Sequence, residues 1–349
     1  MAASNIRTGA EKSRPSISVV IPTRKGRAWL PDCIAGLRAQ TLPPAEILVV
    51  DNGSRDGSAA WLAAQPDLRL ITNRENVGFA AAANQGLCAA TAPFVALLND
   101  DTRPDPRWLA ALLAPMLANE RVGACASLLV FANQPAMVQS AGITIDRAAI
   151  AWDRLGGRPV GEAQQAGEIF GASGGAALYR RAMLDEIGLF DERFFAYLED
   201  VDLAWRAQTA GWRCAYVPDA LVYHLTSATS GEGSPFKKQL LGRNKVWLVA
   251  KNAPLRDLPL ILAYDMAAVL YAGLARGEWH HLLGRLQGLR ALPAVLAARR
   301  PARPAPLEPL VAPWRVPQRV GHLGVGRVEE EKRVEVVDRI GGSEGTKRN

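Results

Sequence analysis

The stretch Phe94–Thr102, FVALLNDDT, joins a short apolar run to an acidic cluster that follows it directly. The same arrangement occurs at Ile47–Ser58, ILVVDNGSRDGS, where Asp51 follows the apolar residues. A third acidic cluster, Glu199-Asp200, lies in FFAYLEDVDLAWR. Acidic groups at the ends of buried parallel strands point into the ligand crevice of an open α/β sheet. The pattern therefore indicates a divalent metal, a phosphate-bearing ligand and a general base.

Short apolar runs alternate with helix-like stretches from Ile17 to about Gly123. The predicted strands are Ile17–Ile21, Ile47–Val50, Leu68–Ile71, Phe94–Leu98 and Val122–Ala126, and the predicted helices are Trp29–Ala39, Ser58–Ala64, Phe79–Ala90 and Trp108–Ala118. Such alternation predicts right-handed βαβ units and a mostly parallel, twisted sheet flanked by helices. Residues 130–170 have weak strand signals and are predicted to form an irregular region on the acceptor side. A helix from about Asp200 to Gly211 and a strand over Cys214–Val217 are expected to follow.

Composition narrows the class of protein. The chain has 349 residues and a formal charge of +7, with basic residues concentrated after residue 235. This basic excess indicates an anionic surface, but no known nucleic-acid motif or aromatic-interleaved basic patch is present, so a nucleic-acid partner is not expected. Four scattered cysteines argue against a disulfide framework and fit a reducing compartment. The polar start MAASNIRTGAEKSRPS shows no secretory signal.

Seven segments in order, over roughly residues 16 to 255, resemble the inverting glycosyltransferases of family 2, and the rhamnosyltransferase-like branch in particular. They are SVVIPTRKG (Ser18–Gly26), VVDNGSRDGS (Val49–Ser58), NRENVGFAAAANQG (Asn73–Gly86), LLNDDT (Leu97–Thr102), GASGGAALYRR (Gly171–Arg181), GLFDERFFAYLEDVDLAWRAQTAGWR (Gly188–Arg213) and VPDALVYH (Val217–His224). The resemblance implies a GT-A-like catalytic domain over residues 16–235. We expect a disordered lead-in over 1–15, a C-terminal helical region over 236–300 and a disordered tail over 301–349.

The resemblance also implies a nucleotide site built from the ends of the first strands. Its candidate residues are Pro22, Thr23, Arg24, Asp51, Gly53, Asn76, Gly78, Asn84, Asn99 and Asp100. A carboxylate such as Asp51 can accept a hydrogen bond from the imide N–H of uracil or thymine. The loop around Gly78 opens an Ala-rich helix, and backbone N–H groups there suit a diphosphate. The alternatives are an Asx turn at Asp51 and an ordinary capped helix after Gly78.

A divalent cation, Mn²⁺ or Mg²⁺, is implied by the match of Asn99-Asp100-Asp101 to the family's Asp-x-Asp element. Asp101 is the best single ligand, and His224 matches a histidine that often completes the metal site. Asn99 departs from the pattern and leaves one charge fewer. The alternatives are a solvated acidic turn at Asp101 and a satisfied core histidine at His224.

The acidic pair Glu199-Asp200 matches the position of the family's catalytic base. Asp200 is assigned as the base that deprotonates the acceptor hydroxyl, with Glu199 orienting the acceptor or the sugar. Helix capping by Asp200 is an alternative that does not exclude this role. On the acceptor side, Gly174 and Gly175 would allow close approach, and Arg206 has either a structural or an acceptor-side part.

The segment Leu258–Ala275 is an apolar stretch of 18 residues broken only by Asp265, and basic and aromatic residues follow it. Three interpretations stay open: a membrane span, an interfacial helix pair on an anionic membrane, and helices packed on the catalytic domain. The interfacial interpretation predicts peripheral contact at the inner, cytoplasmic face of the plasma membrane.

The sequence thus predicts transfer of a sugar from a UDP- or dTDP-sugar, with dTDP-rhamnose as leading donor, to a hydroxyl of a glycan or lipid-linked acceptor. Two other functions stay open. A nucleotidyltransferase usually carries a Gly-rich loop after the first strand, where this chain has PTRKGRAWL with few glycines. An inactive sugar- or nucleotide-binding scaffold is disfavoured by the intact Asp101, Asp200 and His224.

Overall fold

The computed structural model describes residues 15–225, 234–299, 305 and 307–309. The predicted lead-in and tail lie almost entirely outside these described residues. The strands are β1 (Ile17–Thr23), β2 (Glu46–Asn52), β3 (Leu68–Asn73), β4 (Phe94–Leu98), β5 (Thr102–Pro104), β6 (Val122–Phe131), β7 (Gln134–Ser140), β8 (Ile143–Ile145), β9 (Ala151–Asp153), β10 (Gly167–Ile169), β11 (Ala176–Arg180) and β12 (Arg213–His224). The α-helices are α1 (Leu30–Arg38), α2 (Ser58–Ala63), α3 (Phe79–Ala89), α4 (Trp108–Ala118), α5 (Arg181–Ile187), α6 (Glu199–Thr209), α7 (Pro235–Asn252), α8 (Leu258–Arg276), α9 (His280–Arg290) and α10 (Leu292–Leu296).

A mixed, ten-stranded sheet forms the centre of the molecule. Its path is β10-β12-β6-β11-β4-β1-β2-β3, with β5 added to β12 and β7 added to β6. The expected parallel arrangement holds for β3, β2, β1 and β4. In the other half, β11 runs antiparallel to both β4 and β6, while β12 is parallel to β6. Residues 130–170, predicted to be irregular, contribute the short strands β7 to β10.

Strand β12 is longer than predicted, and its end reaches β5. It continues past Val217, and its register with β6 shifts between Val217 and Leu221. Pro218 lies in this shifted segment and has no N–H to donate, so the ladder is interrupted there and resumes at Leu221. The resumed strand pairs His224 with Thr102 of β5.

Three apolar clusters hold the layers together. One cluster lies around Leu87 of α3, and a second around Leu112 of α4. The third joins α6 to the C-terminal helices through Trp205 and Trp247. The ring of Phe194 meets that of Trp247 edge-on at 6.0 Å. The C-terminal helices therefore pack directly against the segment that carries the acidic pair.

Candidate active site

The ends of β1 and β2 bring Thr23 and Asp51 side by side, because the register of the two parallel strands pairs them. Asp51 is buried, and its Oδ1 has no hydrogen-bond partner among the described residues. A buried carboxylate oxygen without a donor is costly in the free protein. Asp51 is thus available for an N–H group of a ligand. Pro22 is buried beside it, and Arg24 is exposed just beyond.

The loop before α3 is held by the side-chain amide of Asn52, at the end of β2. Asn52 Nδ2 donates to Asn76 Oδ1 (2.9 Å) and to the Gly78 carbonyl (3.1 Å), and Asn52 Oδ1 accepts from Val77 N (3.0 Å). Gly53 and Gly78 both have positive φ, and a Cβ on Gly78 would lie 2.6 Å from the Phe195 ring. Gly53 therefore lets the loop after β2 approach the loop before α3, and Gly78 lets the loop before α3 approach Phe195. The sequence analysis did not identify Asn52 as a site residue, although it directly follows Asp51.

Asn84 differs from its predicted role at the diphosphate. Its Nδ2 donates to the Phe190 carbonyl (2.9 Å) and to Glu192 Oε1 (3.0 Å), and its Oδ1 accepts from Phe190 N (3.1 Å). Both polar atoms of this buried amide are therefore engaged within the protein. Asn84 thus fastens α3 to the segment that leads to the acidic pair, and these contacts differ from the diphosphate contact that the motif predicts.

Asp100 follows β4 and lies against the end of β1. Thr23 Oγ1 donates to Asp100 Oδ2 at 2.5 Å. Burial raises the pKa of Asp100 to about 6, although the Thr23 hydrogen bond acts in the opposite direction. The side chains of Thr23, Asp51 and Asp100 thus converge from three neighbouring strands, as the sequence predicted.

Asp101 and His224 meet at the end of β12. Asp101 Oδ1 lies 2.9 Å from His224 Nε2, and His224 Nδ1 lies 2.7 Å from Gln139 Oε1. With the Gln139 amide oriented in this way, both ring nitrogens face oxygen acceptors, and a neutral imidazole has only one N–H. Gln139 was missed because it lies in the weakly patterned region.

The fit of a cation to this place follows from these contacts. Asp101 Oδ1 and His224 Nε2 point at each other and could share a cation. A proton or a metal ion between the two atoms removes the repulsion between their lone pairs. No group of three or more His, Cys, Asp or Glu side chains suited to a metal occurs in the described part of the chain. Asp101 and His224 would therefore hold a cation only together with ligand or water oxygens.

The Gly174-Gly175 turn links the segment Asn99-Asp100-Asp101 to the acidic pair Glu199-Asp200. Gly175 O accepts from Asn99 N (2.9 Å), and Gly174 N donates to Asp200 Oδ2 (3.1 Å). A Cβ on Gly174 would lie 3.3 Å from Phe79, so the turn is closely packed. Asp200 Oδ1 also accepts from Val201 N at 2.8 Å. Two backbone N–H groups therefore fix the orientation of the Asp200 carboxylate.

The acidic pair is electrostatically unusual. Burial raises the pKa of Glu199 well above its ordinary value, and the neighbouring charge of Asp200 raises it further. Burial also raises the pKa of Asp200, while its backbone hydrogen bonds act in the opposite direction. Glu199 Oε2 is buried and has no partner within the described residues. A carboxylate with a raised pKa is a better proton acceptor near neutral pH.

Asp153 of β9 is a further carboxyl group that the sequence analysis missed. Burial raises its pKa to about 6, with the Ser140 hydrogen bond opposing and the charge of Asp200 adding to the shift. His224 lies near enough to act on the pKa of Asp153 in the lowering direction. Asp153 therefore lies near both Asp200 and His224.

The turn before the acidic pair has an uncommon backbone. Phe195, Tyr197 and Leu198 all have positive φ, between 65° and 70°. Such angles disfavour residues with a Cβ and persist only where surrounding contacts impose them. The contacts come from α7: Asn244 Nδ2 lies 3.0, 2.8 and 2.7 Å from the carbonyl oxygens of Phe194, Ala196 and Tyr197. We call these contacts the Asn244 clamp.

A buried ion-pair network fixes α6 behind the pair. Asp202 accepts from Arg206 Nε (2.9 Å), from Lys251 Nζ (2.9 Å) and from Asn252 Nδ2 (2.9 Å). Arg206 also donates to the carbonyls of residues 187 to 189. Since its guanidinium is engaged by the backbone and by Asp202, Arg206 has the structural part rather than the acceptor-side part.

Comparison with known proteins identifies the family. Residues 18–188 match the model of Glycosyl transferase family 2. The chain is 30% identical over 247 residues to the N-acetylglucosaminyl-diphospho-decaprenol L-rhamnosyltransferase of Mycobacterium tuberculosis H37Rv, which covers 62% of this chain and 78% of that relative. The chain belongs to glycosyltransferase family 2. The same organism's pre-mycofactocin glycosyltransferase is 30% identical over 300 residues, and the match covers 83% of this chain and 58% of that relative.

Solved structures agree with a GT-A glycosyltransferase fold. GalNAc-T7 with UDP, GalNAc and Mn²⁺ superposes with a TM-score of 0.57 at 16% identity, over 82% of this chain and 57% of that chain. Staphylococcus aureus TarS superposes with a TM-score of 0.54 at 17% identity, over 81% and 50%. At such low identity these similarities establish the fold alone. The family 2 match ends at residue 188, before the acidic pair Glu199-Asp200.

Proposed function

We propose that this family 2 glycosyltransferase moves a hexosyl or deoxyhexosyl unit, with inversion, from a UDP- or dTDP-sugar to a hydroxyl of a glycan or lipid-linked acceptor. The rhamnosyltransferase relative makes dTDP-rhamnose the leading donor. The proposal locates the reaction in the cytoplasm, at the inner face of the plasma membrane. The observation that carries it is the oriented Asp200 carboxylate with its raised pKa.

Donor binding is assigned to the three strand ends. The unpartnered Asp51 Oδ1 would accept the imide N–H of uracil or thymine, which cytosine and adenine lack. Thr23 and Asp100 lie next to it at the end of the same sheet edge. Leaving Asp51 without this partner costs about 1–3 kcal/mol, so a ligand that supplies the N–H is favoured.

A divalent cation, Mn²⁺ or Mg²⁺, would be held by Asp101 and His224 together with the diphosphate oxygens of the donor. When bound, it stabilises the charge of the leaving nucleoside diphosphate. Gln139 would orient His224 through Nδ1, so that Nε2 presents its lone pair. With Asn99 in place of the first carboxylate, this chain supplies one negative charge fewer to the cation.

The chemical step balances with one base. The acceptor oxygen attacks the anomeric carbon, its proton goes to Asp200, and the bond between the anomeric carbon and the diphosphate oxygen breaks. A single displacement inverts the anomeric centre and needs no covalent nucleophile. The N–H groups of Gly174 and Val201 hold the carboxylate while the proton transfers.

A donor screen tests the proposal. The purified protein is incubated with Mn²⁺ or Mg²⁺ and a panel of UDP-, dTDP- and GDP-sugars, and the release of nucleoside diphosphate is scored. We expect metal-dependent release of nucleoside diphosphate from a UDP- or dTDP-sugar. The Asp200→Asn variant should lose this release. The control variant Asp185→Asn, which changes an exposed carboxylate on α5, should keep it. Release of pyrophosphate would instead indicate a nucleotidyltransferase, and absence of nucleotide binding would favour an inactive scaffold.

A further inference from the structure

Helix α8 turns an apolar face toward solvent. Leu262, Met266, Leu270 and Leu274 are 63, 57, 44 and 78% exposed. Their four-residue spacing places them in one row along the helix. The opposite side of α8 is buried against the protein through Ile261 and Tyr264. A helix on the surface of a soluble domain normally presents polar side chains on its outer side, whereas α8 is apolar on both.

The exposed apolar surface continues onto α9. Leu283, Leu286 and Leu289 are 46, 50 and 52% exposed, and Trp279 between the two helices is 40% exposed. The α8 row and these four residues together are called the α8–α9 face. Eight large apolar side chains exposed on or between two helices that the Asp265–Arg285 ion pair joins indicate a site of interaction rather than scattered exposure.

A transmembrane arrangement of α8 does not fit the contacts of Asp265. The segment Leu255–Ala275 is long and apolar enough to cross a bilayer, and 22% of its most apolar window is buried in the protein. Yet Asp265, in the middle of α8, accepts hydrogen bonds from Arg285 Nε (2.5 Å) and Nη2 (2.6 Å) and lies 3.2 Å from Lys245 Nζ. Burial alone would raise the pKa of Asp265, but the Arg285 hydrogen bonds and both cations lower it to about 2. Spanning would require this ion-paired cluster to enter hydrocarbon.

The charge of the surrounding region identifies the partner. Residues 235–300 contain eleven Lys and Arg and three Asp and Glu, a net charge of +8, against +7 for the whole chain. Lys245 and Lys251 are held in ion pairs with Asp265 and Asp202, whereas Arg256 and Arg290 are exposed. Arg256 is 75% exposed at its side chain and adjoins Leu255, which is itself 69% exposed. An apolar surface within a basic region suits the boundary of an anionic bilayer, where acyl chains and charged headgroups lie within a few ångströms.

We propose that the α8–α9 face lies flat on an anionic lipid bilayer, with the α8 row inserted at the level of the upper acyl chains and with Asp265 on the side facing the protein. This binding is independent of the sugar chemistry, so a protein without transferase activity would still bind lipid. Because α7 packs on α9 and also carries the Asn244 clamp, the bilayer and the acidic pair would be held by one group of helices.

Vesicle co-sedimentation of the full chain tests this inference. We expect binding to vesicles of equal phosphatidylglycerol and phosphatidylcholine, weaker binding to phosphatidylcholine alone, and release at high salt. The double variant Met266→Glu/Leu270→Glu should lose about tenfold or more in vesicle affinity. Leu117→Glu is the matched control, because Leu117 on α4 has the same 57% exposure as Met266. Unchanged circular dichroism of each variant shows that it is folded.

Four results would overturn the inference. They are no vesicle binding by the wild-type chain, equal binding to the two vesicle types, equal loss in Leu117→Glu, and resistance of the bound protein to alkaline extraction, which indicates a span. A concentration-dependent dimer in analytical ultracentrifugation that Met266→Glu/Leu270→Glu dissociates, without lipid binding, would instead assign the face to a second copy of the chain.

Discussion

Replacement of Asn244 by alanine should loosen the turn that presents the acidic pair. The two N–H bonds of the Asn244 amide serve three carbonyl oxygens, of which the closest lies at 2.7 Å. Each buried hydrogen bond of this kind contributes about 1 kcal/mol net, and a carbonyl left without a donor costs more. We therefore expect Asn244→Ala to lower the free energy of unfolding by about 2–4 kcal/mol.

The same substitution should lower the transfer rate. Phe195, Tyr197 and Leu198 have positive φ in the turn whose carbonyls these bonds hold, and Asp200 lies two residues after Leu198. Displacement of a catalytic group by about 1 Å can cost about 100-fold in rate. We expect kcat for sugar transfer to fall about 10- to 100-fold. Donor affinity should change much less, because Thr23 and Asp51 lie on β1 and β2 and not in the turn.

The assays are urea unfolding followed by tryptophan fluorescence, and transfer kinetics at 10 °C or another temperature at which the variant remains folded. Gln239→Ala, a change of a partly exposed residue on the same helix, controls for helix propensity. Stability within about 0.5 kcal/mol of wild type would refute the clamp. Lower stability with an unchanged kcat would refute its role in positioning the base.

Three further predictions concern the carboxylates of the site. Asp200→Asn should lower transfer by about 10²–10⁴-fold and leave donor affinity, measured by calorimetry, unchanged. Asp101→Ala and His224→Ala should each remove the Mn²⁺-dependent part of donor affinity, about tenfold or more, in the same calorimetric titration. Glu199→Gln should raise the free energy of unfolding at pH 8 by about 1–3 kcal/mol, because the wild-type carboxyl is buried without a partner for Oε2.

The pH dependence of the last effect has a definite sign. The folded-state pKa of Glu199 is raised, so the folded protein binds a proton that the unfolded chain has already released. Stability from this group is present at low pH and is lost as the pH rises from its ordinary value of 4.5 through the raised pKa. The stability gap between Glu199→Gln and wild type should therefore narrow as the pH falls toward 4.5, and a gap that widens on acidification contradicts the assignment. Wild-type transfer by Asp200→Asn, or metal-dependent binding that survives in Asp101→Ala, would refute the base and the metal ligand respectively.

The half of the sheet formed by β3, β2, β1 and β4 was predictable because its signals are local. Apolar runs followed by polar residues fix where β1, β2 and β4 end, and parallel pairing then brings Thr23, Asp51 and Asp100 together. The position of His224 also followed from its motif. The strand predicted over Cys214–Val217 was too short, because Pro218 is not expected inside a strand and β12 nevertheless continues beyond Val217.

The support of the acidic pair was not predictable, because it depends on contacts between residues far apart in the chain. Asn244 lies in an ordinary helical segment about 45 residues after the pair, and nothing local distinguishes it. The motifs suggest that Arg206 and Asn84 bind a ligand. In the structure, Arg206 donates to Asp202 and to backbone carbonyls, and Asn84 bonds Glu192 and the backbone of Phe190. Gln139 and Asp153 lie on short strands whose pattern is too weak to place them at the site.

The bonds from α7 to Phe194 and to Asp202 have a practical consequence for protein engineering. They cross the boundary predicted near residue 235, so a truncated gene product that ends after β12 would leave the Asp202 carboxylate buried without Lys251 and Asn252. A chimaera that exchanges acceptor specificity between relatives should for the same reason graft α6 and α7 as one cassette, with both crossover points placed outside residues 188–252.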